Sequence, residues 1–362
     1  MLLQQDLAQI KLLGITEEEV NQQLTRLKKG VSFVKLNRPA MEDDGIIELS
    51  EEEIEKYVDT FENDRKGKTI FKFVPASGAA SRMFKSYFSF VNEPGNDLSK
   101  YPDIKEFIDN LNKFAVYEDL NKVTPGGLQN NLKEGNYKTI VNCLLAEEYL
   151  AYGKLPKGLL AFHKYSDGPR TAFEEHLEEG AGYAAQADGT VNLHFTISPD
   201  HANKFQQLID KVLERYQAKN KVKYDITFSY QLESTNTIAV DMQDEPFRLG
   251  DGSILFRPGG HGALLNNLNN INADIIFIKN IDNVLPDRLK PDTTKYKKAL
   301  AGLLIYVQKK TFSILKELDI AENNESISQA EQLITNDLKL LLPAGYESFD
   351  KVQKTHVYST NA

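Results

Sequence analysis

A strand-like run followed at once by small residues is the feature that most constrains the fold of this chain. The stretch 68–85 reads KTIFKFVPASGAASRMFK, and its mostly apolar run at 70–74 is typical of a strand buried on both faces of a parallel sheet. The loop that follows has almost no side-chain bulk before Arg82, since it consists of Ala76, Ser77, Gly78, Ala79, Ala80 and Ser81. Small residues let a ligand approach the backbone, and the N–H groups at a helix start favour anions. We therefore predict that this loop binds phosphate, with Arg82 adding a charge-assisted contact.

The loop does not match the common phosphate-binding motifs. A P-loop needs a Gly-Lys-Ser/Thr ending, and a dinucleotide fingerprint needs three spaced glycines. The alternative interpretation is a tight turn between a strand and a helix, in which small residues serve packing alone. The choice between the two depends on what accompanies the loop elsewhere in the chain.

Composition and charge exclude several classes of protein. The 362 residues include 43 Lys and Arg against 52 Asp and Glu, and the net charge of -9 argues against general binding to nucleic acid or to an anionic membrane. No apolar run approaches the length of a transmembrane helix, and the N-terminus lacks the basic start and cleavage site of a secretory signal. Cys143 is the only cysteine and lies in an apolar helical pattern, so we predict a buried thiol in a cytoplasmic protein. None of these features determines an oligomeric state.

Strand-like and helical runs alternate through the middle of the chain. The later strand-like runs fall at 191–198, 224–231 and 273–281. Between the first two, apolar residues recur at a helical period over 205–216, and we predict that Ser198 caps this helix with Pro199 at its first position. This alternation predicts an α/β fold with a mixed, mostly parallel sheet flanked by helices.

Helix-start signals and composition divide the chain into three parts. The capping boxes that mark helix starts are Thr16 with Glu19, Ser50 with Glu53 and Thr171 with Glu174. We predict a helical N-terminal extension at 1–67 and an α/β domain at 68–290. That domain carries a helical insertion at 86–153, and 291–362 is predicted as a helical C-terminal region.

Two later motifs place further ligand-binding groups in loops. Lys157 follows Pro156, which fixes the local backbone, and can reach a phosphate; a surface turn is the alternative. His261 lies between Gly260 and Gly262 at a helix start, where the glycines permit close approach of a flat or anionic ligand. A turn histidine packed on the helix is the alternative. Because no other histidine shares metal-ligand spacing with His261, we do not expect a zinc site.

Asp282 follows the strongly apolar strand-like run at 273–281. In open α/β sheets, ligands bind at the carboxyl ends of the strands. A carboxylate there suits Mg²⁺ held by one or two protein oxygens and by substrate phosphates. A turn or helix-capping aspartate is the alternative, since Asn-Ile-Asp-Asn is prone to form turns.

The combined order of these motifs resembles UDP-glucose pyrophosphorylases and related UDP-sugar nucleotidyltransferases. The features that carry the resemblance are the strand with its loop and Arg82, Pro-Lys at 156–157, Pro-Gly-Gly-His-Gly at 258–262 and Asn-Ile-Asp-Asn at 280–283. The resemblance covers about 68–286 with gaps. It implies the GT-A-like fold of nucleotide-diphospho-sugar transferases. We interpret the chain as a bacterial branch of that superfamily, of the kind described as a domain of unknown function.

The resemblance implies how phosphates and metal would be held. The loop 76–82 would wrap the nucleoside triphosphate, and Arg82 would neutralise its β- and γ-phosphates. Lys157 would bind the phosphates across the reaction centre, and Asp282 would coordinate Mg²⁺. The implied reaction converts UTP and a sugar-1-phosphate into a UDP-sugar and pyrophosphate, without a covalent enzyme intermediate.

The resemblance also implies a site for the base. Gln231, at the end of the run 224–231, is similar to a glutamine near the uracil. Gly260 and Gly262 would lie against the base, and His261 would lie beside the nucleotide. The expected partners are therefore a nucleoside triphosphate, with UTP favoured, and a sugar phosphate.

Departures from the family pattern keep other functions open. Ser77 and Ala80 stand where the family usually has glycine, and little strand-like sequence after Asp282 can supply a second metal-binding acid. These departures favour a catalytically silent protein that binds a nucleotide or a sugar nucleotide, or a chain that lacks a C-terminal portion. A glycosyltransferase of the related fold would usually show an Asp-x-Asp motif at a strand end. A helical scaffold would leave the glycine-histidine and Asp282 motifs unexplained.

Overall fold

The computed structural model of the chain describes residues 2–30, 33–36, 38–42, 44–78, 80, 83–320 and 324–359. The chain divides into two compact units, of which the first comprises Met1–Val31 and Thr69–Lys290. The second comprises Ser32–Lys68 and Pro291–Ala362. The three-part division predicted from the sequence, with boundaries at 67/68 and 290/291, stays a prediction.

The elements follow one another in a helix-rich order. The N-terminal elements are α1 (Gln4–Leu12), α2 (Glu17–Lys29), β1 (Met41–Glu42), β2 (Gly45–Ile46), α3 (Glu51–Asp64) and β3 (Ile70–Pro75). The helices after β3 are α4 (Lys85–Asn92), α5 (Pro102–Asp109), α6 (Tyr117–Val123), α7 (Leu128–Glu134) and α8 (Tyr137–Leu145). The central elements are β4 (Ala161–Tyr165), β5 (Gly168–Thr171), α9 (Ala172–Tyr183), β6 (Thr190–Ile197), α10 (Ala202–Asn220) and β7 (Lys223–Tyr230). The last elements are β8 (Thr237–Ile238), β9 (Phe256–Arg257), α11 (Leu265–Asn269), β10 (Ile275–Ile278), α12 (Lys290–Ile320), α13 (Asn324–Gln332) and α14 (Lys351–Ser359).

A parallel sheet in the first unit organises the candidate site. Within the described residues it has four strands in the order β10-β3-β6-β7, and every neighbouring pair is parallel. The chain passes from β3 to β6 and β7 on one side, then returns to place β10 on the other side of β3. The direction of winding therefore reverses between β3 and β10, which makes their carboxyl ends a topological switch point.

The predicted α/β class, with a parallel sheet flanked by helices and helical N- and C-terminal segments, is confirmed. Strands β3 and β6 lie in the middle of the sheet and are almost wholly buried, although β3 contains Lys72 and β6 alternates apolar side chains with polar ones such as Asn192 and His194. Antiparallel pairing occurs outside this sheet, in the small two-stranded sheets β4–β5 and β8–β9.

The helix α9 packs very closely against the sheet. All three predicted capping boxes form, and the box of Thr171 and Glu174 opens α9. At Gly180 of α9, a Cβ atom would lie 2.9 Å from Leu193 of β6. Gly180 therefore lets the helix approach the strand closely enough for its polar side chains to reach the sheet.

The start of α10 differs from its prediction. The Ser198 side chain makes no capping hydrogen bond, so the prediction that it caps this helix is wrong. The segment Pro199–His201 forms a tighter 3₁₀ turn instead, with the His201 amide donating to the Ser198 carbonyl at 3.0 Å. The α-helix itself begins only at Ala202.

The helices α4 to α8 form a second hydrophobic cluster within the first unit. Its core includes Phe90, Phe107, Leu120, Ile140 and Cys143. The predicted burial of Cys143 is confirmed, since only 1% of the residue is exposed. Burial raises the pKa of its thiol.

The second unit is built mainly from helices. Ile54 and Tyr57 of α3 pack with Ala299 of α12, and Gly302 of α12 lies close to the Tyr57 backbone. A further cluster joins α12 and α13 to the C-terminal segment through side chains that include Ile314, Ile327 and Tyr346. Among the residues that the structure describes, no helix is both long enough and apolar enough to cross a membrane.

Candidate functional site

Three segments that the sequence singles out meet at the switch point of the sheet. The loop after β3 contacts the Lys157 segment, since the Lys157 amide donates to the Gly78 carbonyl at 3.3 Å. The Lys157 ammonium group forms an ion pair with the Asp282 carboxylate. The Lys157 and Asp282 side chains are 25% and 38% exposed, so both remain accessible to a ligand. The structure therefore brings together Gly78, Lys157 and Asp282, which lie far apart in the sequence.

The small residues of the loop differ in what they face. Ala76 and Ala80 are buried, and Ala80 belongs to the core of the α4–α8 cluster. The Cβ atom of Ala80, which stands where the resembled family usually has glycine, therefore packs in that core. Ser77 is half-buried and Gly78 is exposed. Ala79, Ser81 and Arg82 lie outside the described residues.

Three predicted ligand-binding glycines face open space. A Cβ atom added to Gly78, Gly260 or Gly262 would meet no atom of the described residues within 4 Å. None of these three glycines has the positive φ that favours glycine. No described side chain packs against these three glycines, and their role as positions of close ligand approach stays a prediction.

The helix α9 holds the segment that carries Asp282. The amides of Lys279 and Ile281 continue the hydrogen-bond ladder to β3, donating to the Phe73 and Pro75 carbonyls at 3.1 and 3.2 Å. On the α9 side, Nε2 of His176 lies 3.2 Å from the Ile281 carbonyl oxygen. Burial and nearby ammonium groups hold the pKa of His176 well below its usual range, so the ring is neutral and donates this hydrogen bond.

One buried carboxylate on α9 is shared by two lysines from neighbouring strands. Both carboxylate oxygens of Glu179 lie 2.8 Å from Nζ of Lys279, and one lies 3.3 Å from Nζ of Lys72 on β3. Burial lowers the pKa of Lys72 to about 7. Burial also opposes ionisation of Glu179, but the two lysines outweigh it and lower the pKa of this carboxyl. The cluster fixes α9 against the segment that leads into Asp282.

A second buried carboxylate on α9 organises the other side of the site. The Glu175 carboxylate accepts hydrogen bonds from the Tyr165 hydroxyl at 2.8 Å and from Nδ1 of His163 at 2.9 Å, and it pairs with Lys290. Burial and this carboxylate raise the pKa of Tyr165. Asp287 accepts hydrogen bonds from Arg170 at 2.8 Å. Glu175 thereby fixes both His163 and Tyr165 on the hairpin β4–β5.

Sequence reasoning missed these two carboxylate clusters. The available signal was the run Phe-Glu-Glu-His-Leu-Glu-Glu at 173–179 of α9, together with a lysine inside the apolar strand β3. Four of these polar residues, Glu174, Glu175, His176 and Glu179, are buried. An acidic stretch on a helix is usually solvated, so only the tertiary structure identifies them as buried.

The residues predicted to bind the base gather at the carboxyl end of β7. Gln231 follows β7 directly, and its buried Nε2 has no hydrogen-bond partner among the described residues. A Cβ atom on Gly259 would lie 3.9 Å from this Nε2. Asn267 of α11 anchors the strand end by donating to the Tyr230 carbonyl at 2.8 Å. His261 begins a 3₁₀ turn, His261–Leu264, and its side chain is not described.

These base-side residues lie on the same edge of the sheet as Lys157 and Asp282. The strand β7 lies two strands from β3, whose loop contacts Lys157, and three strands from β10, which leads to Asp282. Adjacent strands are about 4.8 Å apart, so the two groups are separated by roughly 10 to 14 Å along the edge. A ligand that contacts both must therefore be elongated.

The side chains near the switch point that could bind a metal ion can be compared with the ligands that Mg²⁺ needs. Among the described parts of the chain, no group of three or more His, Cys, Asp or Glu side chains is arranged to hold a metal ion. Mg²⁺ that bridges substrate phosphates needs only one or two protein carboxylates. The partly exposed carboxylate of Asp282 fits that role.

Comparison with known proteins identifies a family for nearly the whole chain. Residues 3–361 match the model of a family described as domain of unknown function (DUF4301). No curated protein and no solved structure gives a significant match. The match spans both units of the structure, and the chain therefore belongs to the DUF4301 family.

Proposed function

We propose that this protein is a nucleotidyltransferase that converts UTP and a sugar-1-phosphate into a UDP-sugar and pyrophosphate, with Mg²⁺ as cofactor. The observation that carries the proposal is the convergence of Gly78, Lys157 and Asp282 at the topological switch point. Ligands of open α/β sheets bind in the crevice at such a point. The resemblance to UDP-sugar pyrophosphorylases supports the same assignment from the order of the motifs.

The proposed chemistry requires positioning and charge neutralisation. An oxygen of the sugar-1-phosphate attacks the α-phosphorus of UTP, the bond to the β-phosphate oxygen breaks, and pyrophosphate leaves with that electron pair. Lys157 and Arg82 would neutralise the phosphates, and the resemblance implies that backbone N–H groups of the loop 76–82 would bind them. When bound, Mg²⁺ would be held by Asp282 and phosphate oxygens and would neutralise phosphate charge.

The ion pair between Lys157 and Asp282 has a role in this proposal. Without substrate, the carboxylate offsets the charge of the ammonium group. A triphosphate at the edge offers Lys157 a more highly charged partner, so the lysine exchanges the carboxylate for a phosphate oxygen. Asp282 is then available for other ligands.

The base-side residues would bind the far end of the nucleotide. The unpartnered Nε2 of Gln231 is a donor suited to a carbonyl oxygen of uracil. Gly260 and Gly262 leave room for the flat base, and His261 would lie beside it. The separation of roughly 10 to 14 Å along the sheet edge suits an elongated nucleotide lying across several strands.

A nucleotide-binding protein without turnover is the second candidate. The observation that favours it is the ion pair itself, because Lys157 already neutralises the carboxylate that the enzyme needs for Mg²⁺. In this second proposal, Lys157 and the loop bind a nucleotide or a sugar nucleotide, and the protein catalyses no reaction. We also propose a cytoplasmic location for either candidate, on the basis of the single cysteine.

Nucleotide binding and pyrophosphate exchange test the two candidates. We expect UTP with Mg²⁺ to raise the melting temperature more than the other nucleoside triphosphates. We expect Asp282→Asn and Lys157→Gln each to lower exchange by about 100-fold, as for loss of one preorganised charge contact. Asp225→Asn on the exposed face of β7 and Lys154→Gln are matched controls that should leave exchange unchanged.

Each outcome distinguishes the candidates. Selective binding of UTP or a UDP-sugar with no exchange would support the second candidate. No response to any nucleotide would refute both. Unchanged exchange in Asp282→Asn would refute the metal role of this residue.

A further inference from the structure

An apolar cavity lies beside the candidate site, between the α4–α8 cluster and the hairpin β4–β5. Its volume is about 500 Å³, and Phe84, Phe107, Phe114, Phe162, Leu144 and Tyr152 supply much of its wall. This volume is within the range of small-molecule sites and is much larger than a bare phosphate ion needs. Its lining matches the body of an aromatic or branched aliphatic molecule.

The wall of the cavity continues from the three segments of the site. Met83 and Phe84 come directly after Arg82, and Leu160 is three residues beyond Lys157. Pro286, on another part of the wall, follows Asp282 by four residues. The cavity is therefore adjacent to the switch point, although its apolar lining differs from what a sugar phosphate needs.

A histidine with a fixed orientation is part of the cavity wall. Nδ1 of His163 lies 2.9 Å from the fully buried Glu175 carboxylate, which must accept, so Nδ1 carries the hydrogen. Glu175 is itself held by Tyr165 and Lys290. Nε2 of His163 has no hydrogen-bond partner among the described residues, and 22% of the side chain is exposed. The ring therefore offers Nε2 to a ligand.

The ionisable groups on the wall favour an anion. Apart from tyrosine hydroxyls, the ionisable lining residues are Lys113, His163 and Lys164, and no Asp or Glu is among the described lining residues. This basic character contrasts with the net charge of -9 for the whole chain. The Lys164 side chain is 39% exposed, and its ammonium group donates to the Asn112 carbonyl at 3.1 Å and pairs with Glu118 at 3.9 Å. A ligand anion can therefore compete for Lys164.

We propose that this cavity binds a small amphipathic anion, with an aromatic or branched aliphatic body among the phenylalanines and its acidic group at His163 and Lys164. Lys164 supplies the charge contact to the acidic group, and Nε2 of His163 offers a second polar contact on the same wall. This site needs no bound nucleotide, so it stands or fails independently of the proposed transferase activity.

Binding of 1-anilinonaphthalene-8-sulfonate, an aromatic anion, tests this proposal. The chain has no tryptophan, so Phe114→Trp places a single donor fluorophore at the cavity. Phe247→Trp is the matched control, since Phe247 and Phe114 are 42% and 40% exposed and Phe247 is not part of the wall. We expect saturable binding of one probe molecule, with more efficient energy transfer in Phe114→Trp than in Phe247→Trp.

Two comparisons test the parts of the proposal separately. We expect the neutral probe N-phenyl-1-naphthylamine to bind at least tenfold more weakly, and the preference to disappear in the double variant His163→Gln, Lys164→Gln but not in Lys133→Gln. We expect Ala161→Leu, which fills the wall, to weaken binding of both probes. Thermal melts identify variants that do not fold, and the comparison of the two probes on the wild-type chain needs no variant.

Three results would overturn the proposal. Absence of saturable binding to the folded chain would show that the cavity takes no such ligand. Equal affinity for the anionic and the neutral probe would remove the role of the basic groups. Energy transfer that is no greater in Phe114→Trp than in Phe247→Trp would place the bound probe elsewhere.

Discussion

Replacing Lys72 by methionine should change how the stability of this protein depends on pH. Lys72 is fully buried on β3 and shares the Glu179 carboxylate with Lys279, which holds that carboxylate with two short contacts. Burial lowers the pKa of Lys72 to about 7. Methionine keeps a long apolar side chain at this position, and the pair of Glu179 and Lys279 remains intact in Lys72→Met.

The magnitude follows from proton linkage. The pKa of a lysine is about 10.5 in the unfolded chain and about 7 for Lys72 in the folded chain. Between these values the unfolded state binds more protons, so the free energy of unfolding rises with pH. The Lys72 contribution amounts to about 3 kcal/mol between pH 6 and pH 9. Lys72→Met should lack this rise, so its stability relative to the wild type is greatest at pH 6.

Urea denaturation at pH 6 and pH 9, followed by circular dichroism, measures the effect. We expect the difference in unfolding free energy between Lys72→Met and the wild type to change by about 3 kcal/mol over this range. Titrating groups that do not interact with Lys72 are common to both proteins and cancel in the comparison. Lys223→Met, at an exposed lysine of β7, is the matched control and should follow the wild type within about 0.5 kcal/mol.

A parallel pH dependence would refute the reasoning. If Lys72→Met and the wild type differed by the same amount at pH 6 and pH 9, Lys72 would titrate with an ordinary pKa. Burial would then not control its charge. The account of Lys72 as a buried lysine that is readily neutralised beside Glu179 would have to be abandoned.

Two further predictions concern packing. A Cβ atom at Gly302 would lie 1.8 Å from the Tyr57 carbonyl oxygen, so Gly302→Ala must separate α12 from α3 and should cost about 1–3 kcal/mol of stability despite its better helix propensity. Urea denaturation checks this, with Gly250→Ala as a control because a Cβ there meets no atom within 4 Å; equal stability of the two variants would contradict the close packing. Cys143 is 1% exposed with a raised pKa, so a disulfide reagent should label it only as fast as the cluster around it opens, and immediate labelling would contradict its burial.

Features that depend on neighbours along the chain were predictable. The capping boxes of Thr16, Ser50 and Thr171 each join residues three positions apart, and all form as predicted. The α/β class follows from the alternation of strand-like and helical runs along the chain. The prediction for Ser198 was wrong because the segment after β6 first forms a 3₁₀ turn, and the α-helix begins only after it. The identity of the capping residue does not distinguish these two kinds of helix start.

Features that depend on distant partners were not predictable. Glu179 is an ordinary acidic helix residue in the sequence, and its two lysines are about 100 positions away in each direction. The pairing of His163 with Glu175 likewise depends on the hairpin β4–β5 folding back beside α9. Burial of these charges results from packing of α9 on the sheet, which Gly180 permits at close range.

By itself, the sequence predicted that small residues follow a buried strand, and it singled out Lys157 and Asp282 as candidates to bind phosphate and metal. Only the tertiary structure decided that the loop, Lys157 and Asp282 meet. Local periodicity specifies where each strand runs and ends, whereas strand order depends on how all the helices bury their apolar faces against the sheet. The order β10-β3-β6-β7 places the ends of β3 and β10 side by side, and this adjacency creates the candidate site.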